Sequence, residues 1–325
     1  MKDTHQLIEL LKGHKVYLQT HNFPDPDALA SAYGLQQFLK HYDIDSTICY
    51  DGKIEKVSTK KMLSAFNIEA FSKYEIADMT SNDYIITIDG QKHNANFTDL
   101  IGNEVACIDH HPTFIECEYQ YSDIRITGAC CSIIAEYFKE SDFPLDTNTA
   151  TALLYGLKMD TASFERGVTD FDIDMFKYLH NLADKALLNS VHSNAMELDD
   201  LKAYGAAIEN IRVFDNFGFV YIPFDCNDAL VAMISDFILA LDVVEISVVY
   251  ANRDGGLKFS VRSEQVDLHA GKLISNALSE YGNGGGHASM SGGMIPAENM
   301  EKLGKYRDLK IQNLFLDNME SAKKD

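Results

Sequence analysis

Through the first half of the chain, short runs of β-branched and apolar residues alternate with segments whose apolar positions recur at helical spacing. VYLQT (16–20), STICY (46–50), YIITI (84–88) and VACI (105–108) read as strands, and residues 27–41 and 55–66 between them read as helices. Alternation of this kind predicts a parallel sheet flanked by helices. Further helices are expected at 128–139 and 147–159, and the stretch 170–210 is almost continuously helical. A second α/β pattern follows: strands at 217–224, 244–251 and 255–263, helices at 227–241 and near 267–280, a glycine cluster, and a last helix near 297–314. The tail SAKKD is expected to fray. At 325 residues, one core is too few. The expected fold class is α/β: an N-terminal parallel-sheet domain over 1–190, a helical connector over 191–212, and a smaller C-terminal α/β domain with its own sheet over 213–325.

The chain carries a formal net charge of −21. Such a surface argues against holding a long nucleic-acid strand by general electrostatics, but a local cation or metal can still receive a short phosphorylated ligand. Cys49, Cys107, Cys117, Cys130, Cys131 and Cys226 show no metal-type spacing, and most lie in apolar stretches, so reduced core thiols are expected. The start of the chain reads as an amphipathic helix running into a strand, without a signal core, and no apolar run is long enough to span a bilayer. The expectation is a soluble, cytoplasmic protein without a membrane partner, and a homodimer is left open.

Functional groups of open α/β sheets collect at the carboxyl ends of the strands. Here VYLQT runs into His21-Asn22-Phe23-Pro24-Asp25-Pro26-Asp27, YIITI into Asp89-Gly90, VACI into Asp109-His110-His111, and the helix at 147–159 into Asp160. Each piece alone has an ordinary explanation. Asp25 suits the N-cap of a helix with proline in its first turn, Asp89 suits a turn, and His21 suits a satisfied loop histidine. Together, four distant segments deliver carboxylates and imidazoles to one sheet edge. Crowded carboxylates must be protonated or bound to cations. Oxygen donors mixed with imidazoles suit Mn²⁺ foremost, with Mg²⁺ or Co²⁺ as alternatives, and two such ions sharing a carboxylate are equipped for phosphoryl chemistry.

These segments resemble the DHH phosphoesterase family, in its RecJ-like two-domain form, named for the triplet that stands here at Asp109-His110-His111. The first family motif appears as His21 through Ser31, with Ala30 where the family commonly has glycine, the second as Asp89 and the fourth as Asp160. The resemblance implies one ion on His21, Asp25 and Asp89 and a second on Asp27, Asp89, His110 and Asp160, with Asp89 as the bridge. It also implies that Asp109 orients a neighbouring imidazole and that His111 faces the substrate phosphate. Further on, Gly284-Gly285-Gly286-His287 resembles the glycine signature of the DHH-associated domain, and Arg262-Ser263 its arginine-bearing strand. Successive glycines let amides approach an anion, and guanidinium suits bidentate phosphate capture; a surface salt bridge is the ordinary alternative for Arg262.

Similar two-domain members degrade short oligoribonucleotides, linear dinucleotides or 3′-phosphoadenosine-5′-phosphate. The function expected is metal-dependent hydrolysis of short oligonucleotides or dinucleotides to mononucleotides, extending to the bisphosphate. The alternatives are a cyclic dinucleotide phosphodiesterase, a pyrophosphatase or exopolyphosphatase, and a silent nucleotide-binding protein. A track for long single strands is not expected, because that needs basic residues with stacking aromatics and the chain has no Trp.

Overall fold

The computed structural model describes residues 4–54, 56–141, 143–193 and 196–323. The chain divides into two compact units, Met1–Ala195 and Met196–Asp325. Glu55, Asp142, Asn194 and Ala195 lie outside the described residues, as do both ends of the chain, including the last two residues of the SAKKD tail.

In the first unit the elements run α1 (Thr4–Leu11), β1 (Val16–Thr20), α2 (Pro26–Lys40), β2 (Ser46–Tyr50), α3 (Val57–Phe66), β3 (Ala70–Ser72), β4 (Tyr84–Ile88), β5 (Asn103–Asp109), β6 (Tyr121–Ile124), α4 (Cys130–Glu140), α5 (Thr147–Asp160), α6 (Asp170–Leu182) and α7 (Lys185–His192). The strands form one sheet in the order β3-β2-β1-β4-β5-β6, every neighbour parallel. Period-two alternation splits the strands between two faces. Val16, Leu18, Ile48, Ile86, Ile88, Ala106 and Ile108 join a single core to which all of α1 to α7 contribute. Tyr17, Cys49 and Ile85 point the other way, under loop residues Ile76, Met79 and Leu100. From β1 the chain steps outward to β2 and β3, then returns to place β4 on the other side of β1. The strand order therefore reverses between β1 and β4, and a crevice at such a reversal is where α/β sheets bind ligands.

Helices α2 and α5 cross closely. A Cβ on Gly156 would lie 2.5 Å from Cys131 Sγ, 3.0 Å from Ala30 Cβ and 3.1 Å from Asp27 Cα, so only glycine fits there. The edge strand β6 turns a carboxylate inward. Asp123 is buried and receives both Nε and Nη2 of Arg125 at 2.8 and 2.9 Å, while Tyr137 donates to it at 2.9 Å.

The second unit contains α8 (Asp200–Asn210), β7 (Arg212–Phe214), β8 (Phe217–Asp225), α9 (Asp228–Leu239), β9 (Ile246–Arg253), β10 (Gly256–Ser263), α10 (Ala270–Leu278), β11 (Asn283–Gly286), β12 (Met290–Ile295), a 3₁₀ segment (Ala297–Leu303) and α11 (Arg307–Asp317). Its sheet has the order β11-β12-β10-β9-β8-β7, antiparallel except for β8 beside β9. Helices α10 and α11 cover one face and α8 and α9 the other.

The sequence reading differs from this in particulars. The helical stretch 170–210 contains α6, α7 and α8, and α8 packs Ala203 and Ala207 into the second unit's core with Val220 and Ile222. The helix expected near 297–314 is split at Gly304, whose φ of +71° closes the 3₁₀ segment before α11 starts. The glycine cluster is strand β11, paired with β12. All six cysteines are free, and only Cys117 is not buried. No helix among the described residues is long and apolar enough to cross a membrane.

Candidate metal centre

Three of the segments singled out above leave the carboxyl ends of β1, β4 and β5, the strands at and beside the reversal, and the fourth leaves α5. Asp25 caps α2, its Oδ1 accepting from the amides of Asp27 and Ala28 at 2.9 and 3.0 Å; Pro26 opens the helix and puts Asp27 in its first turn. Asp27 is fully buried against the start of α4. Its Oδ2 accepts from the Cys130 amide at 2.7 Å and its Oδ1 from the Cys131 amide at 2.9 Å. Two helix starts thus hold two carboxylates, as their unpaired amides favour. Asp89 takes a left-handed φ of +56° directly after β4. Asp160 is the last residue of α5, and the chain after it runs left-handed through Ala162, Ser163 and Phe164.

The donors converge. His21 Nε2 lies 3.9 Å from Asp25 Oδ1 and 3.7 Å from Asp89 Oδ2. His110 Nε2 lies 3.2 Å from Asp89 Oδ1, 3.3 Å from Asp160 Oδ2 and 3.9 Å from Asp27 Oδ2. The donor atoms gather as His21, Asp25 and Asp89; as Asp27, His110 and Asp160; and as Asp89, His110 and His111, each set lying within 4.8 Å. Asp89 takes part in two of these groups, one oxygen toward each side.

Two observations test whether the cluster fits a cation. Asp89 Oδ1 is buried without a hydrogen bond, although an imidazole nitrogen is close by. A buried carboxylate oxygen without a partner is rare in folded proteins, and a cation would satisfy it. Second, His21 Nδ1 meets the Asn22 carbonyl at 2.9 Å and His110 Nδ1 the Thr127 carbonyl at 2.9 Å. A carbonyl only accepts, so Nδ1 carries the hydrogen in both rings and Nε2, aimed at the carboxylates, is the nitrogen available to a metal. The residues fit.

Proton affinities carry the same signature. Burial and the nearby Asp89 push the carboxyl of Asp27 well above its ordinary value. Burial, Asp25 and Asp89 push Asp160 up to about 6. Burial alone would depress His21 and His110, but facing carboxylates outweigh it and raise them to about 10 and about 11. Asp25 moves down despite burial, through His21 and, among weaker influences, the charge of Lys56. Such a cluster gathers positive charge from any source, protons or metal.

Asp109 is in none of these groups but holds one of their members. Its Oδ1 accepts from His111 Nδ1 at 2.9 Å and its Oδ2 from the amide of Gln91 at 2.7 Å. His111 is half-exposed, with Nε2 as its remaining ring nitrogen. Gln91 also donates to the His111 carbonyl at 3.1 Å; the sequence reading missed it, although it stands two residues beyond Asp89. Asp172 was missed too. Buried at the start of α6, it accepts from the Gly128 amide at 2.7 Å, the Thr169 amide at 2.9 Å and the hydroxyls of Thr169 and Ser132 at 2.6 Å each. That fixes the Thr127–Gly128 peptide whose carbonyl orients His110. No local pattern links position 172 to position 110.

The remaining site candidates lie together in the second unit. Arg262, near the end of β10, pairs with Met290 of β12; the Ser263 amide donates to Ser289 at 3.0 Å and the His287 amide to Met290 at 2.8 Å. Arg262 and the turn after Gly284, Gly285 and Gly286 thus share one end of the sheet. Arg262 Nε donates to Asp236 at 2.6 Å and its Nη1 to Ser260 Oγ at 2.9 Å. Gly286 has a φ of +142°, and Gly271 of α10 approaches it so closely that a Cβ there would fall 2.2 Å from the Gly286 carbonyl oxygen.

The chain is 28% identical to an uncharacterized protein of Methanocaldococcus jannaschii over 88% of its own length and 59% of that protein's. It is 26% identical to the manganese-dependent inorganic pyrophosphatase of the same organism over 95% of each chain. It is 25% identical to a cyclic-di-AMP phosphodiesterase of Geobacillus thermodenitrificans over 87% of this chain and 45% of that one. Among solved structures, an exopolyphosphatase-related protein of Bacteroides fragilis shares the fold with a TM-score of 0.76 at 19% identity, covering 97% of this chain and 94% of that one. RecJ of Thermus thermophilus, in complex with Mn²⁺, shares it with a TM-score of 0.53 at 14% identity, covering 96% of this chain and 54% of that one. Residues 15–157 match the N-terminal domain of the DHH family and residues 215–312 the DHHA1 domain, and the chain belongs to the DHH family of phosphoesterases.

Proposed function

We propose that this chain is a Mn²⁺-dependent phosphoesterase that hydrolyses short oligonucleotides or dinucleotides to mononucleotides, with 3′-phosphoadenosine-5′-phosphate as a further substrate. The observation that carries the reading is Asp89, which offers one oxygen beside His21 and the other beside His110. In this reading His21, Asp25 and Asp89 hold one ion, and Asp27, Asp89, His110 and Asp160 hold a second. Bound divalent ions would supply charge neutralisation at the phosphate and a lowered pKa for water. Asp109, held by Gln91, fixes the His111 ring so that it meets a phosphate oxygen from the open side. Arg262, Ser263, Gly284, Gly285, Gly286 and His287 would hold the substrate's terminal phosphate, which must share Arg262 with Asp236. Hydrolysis of inorganic pyrophosphate is the second reading, favoured by a relative aligned over 95% of both chains.

The test is one substrate panel with Mn²⁺ and with chelator: a dinucleotide, a cyclic dinucleotide, 3′-phosphoadenosine-5′-phosphate, pyrophosphate and a long single strand. Chelator-sensitive release of mononucleotide from the linear dinucleotide, at the highest kcat/KM of the panel, is expected. Preference for pyrophosphate or the cyclic compound overturns it.

A further inference from the structure

The loop that brings the first donors to the centre also carries a side chain that cannot ligate. Phe23 stands between His21 and Asp25, is 64% exposed, and has a φ of +55°. Bulky L-residues avoid that backbone region, and strain of this kind collects at functional sites because it must be held from outside. Here it is held. The Phe23 amide donates to the Asp51 carbonyl at 2.9 Å and the Asn22 amide to the Asn96 carbonyl at 2.7 Å. The Asn22 side chain accepts from the Thr98 amide at 3.2 Å. The ring rests against Gly52, where a Cβ would fall 2.8 Å from Phe23 Cδ1.

Packing does not account for this arrangement. A phenyl ring gains stability by leaving water, and this one is held largely in it by a conformation that is itself unfavourable. The ring belongs to the loop that joins two of the donors, His21 and Asp25. An exposed aromatic face on the loop that carries donors of a phosphate-handling centre matches a nucleotide, whose base offers a π-face, and gives an inorganic phosphate nothing to stack.

We infer that Phe23 stacks a nucleobase of the substrate whose phosphate lies at the metal centre. This rests on the phosphoesterase reading above and narrows its substrate class to nucleotides.

The experiment uses the full chain with Mn²⁺ and compares a dinucleotide with its abasic analogue, in wild type, Phe23→Ala, Phe23→Asn and Phe23→Tyr. Asn tolerates the left-handed backbone, so Phe23→Asn removes the ring from a loop that still folds. The ratio of kcat/KM for dinucleotide over abasic analogue should fall about five- to a hundredfold in the Ala and Asn variants, the range of one stacked base. It should hold in Phe23→Tyr, with Mn²⁺ affinity as in wild type throughout. A wild type active on dinucleotides whose ratio is unchanged in Phe23→Asn overturns the stacking role alone. A wild type that hydrolyses pyrophosphate and no dinucleotide overturns the nucleotide reading and the stacking role with it.

Discussion

Gly156→Ala tests whether the helix crossing under the site sets its geometry. Gly156 lies one turn before Asp160 on α5, and Asp27 opens α2 on the other side of the crossing. The added Cβ would sit 2.5 Å from Cys131 Sγ and 3.0 Å from Ala30 Cβ. Contacts of this kind relax near ~3.5–4.0 Å, so α5 must retreat from Cys131 Sγ by about 1–1.5 Å. Metal–ligand distances tolerate about 0.2 Å, several times less. Ala gains about 1 kcal/mol over Gly in a helix, while overpacking costs about 1–3 kcal/mol, so metal-free stability should fall by no more than about 2 kcal/mol. Mn²⁺ affinity at the group of Asp27, His110 and Asp160 should fall about 10- to 100-fold, as when a support of a ligand is lost. Electron paramagnetic resonance titration of free Mn²⁺, beside a thermal melt in chelator, separates the two effects. Adding Cys131→Ala removes the tightest contact, keeps the backbone amide that holds Asp27, and should restore most of the affinity. A folded Gly156→Ala protein with wild-type Mn²⁺ affinity refutes the reasoning, as does a loss that Cys131→Ala fails to repair.

Asp89→Ala removes the carboxylate common to both donor groups and should lower turnover by at least ~10³, or about 4 kcal/mol of barrier; near-normal turnover would sink the two-ion reading. Arg262→Ala should reduce kcat/KM for nucleotides about ten- to a hundredfold, from a charged hydrogen bond of ~1.5–3 kcal/mol, and spare a small generic diester. Equal loss on both substrates would make Arg262 structural or catalytic instead of a grip. Asp172→Asn loosens the peptide that orients His110, and should weaken Mn²⁺ binding about tenfold while Asp172→Glu recovers part of it; unchanged binding in the Asn variant would contradict that route. Without metal, His21 and His110 are raised to about 10 and about 11 from an ordinary 6.5, so their stabilising protonation is complete below pH 6.5 and lost as pH rises toward those values. Asp160, raised to about 6, acts in the same sense at lower pH. The melting temperature in chelator should therefore fall between about pH 6.5 and 9.5, whereas Mn²⁺ should stabilise more strongly as pH rises; a metal-free melting temperature that climbs over that range contradicts the assignment.

The first sheet was legible because its central strands are short, largely apolar and β-branched runs, as buried parallel strands usually are. The donors were legible because they stand at the ends of those runs, where His21, Asp89 and His110 could be read without knowing any contact. What escaped was polar or non-local. β6 reads YSDI, and its pairing depends on Arg125 and Tyr137 covering Asp123. β11 reads NGGG, which looks like a loop until β12 and α10 are placed against it. The helical pattern of α8 fits a connector as well as a packing helix; only Val220 and Ile222, far along the chain, reveal its face. Asp172 and Phe23 were hidden for opposite reasons, one by a contact 44 residues away and the other by a backbone angle with no sequence signature.

The strand lengths of the two sheets have a consequence for the chain in crowded solution. Each sheet ends in its shortest members: β3 and β6 with 3 and 4 residues, β7 and β11 with 3 and 4. An open edge is a template for a foreign strand, and its hazard grows with the number of ladder positions it offers. Here those positions are few, and one edge is mostly glycine, with almost no side chains to pack. The net charge of −21 also keeps copies apart, but salt screens charge and leaves edge geometry untouched. Resistance to strand-mediated aggregation should accordingly persist at ionic strengths where electrostatic repulsion has been lost.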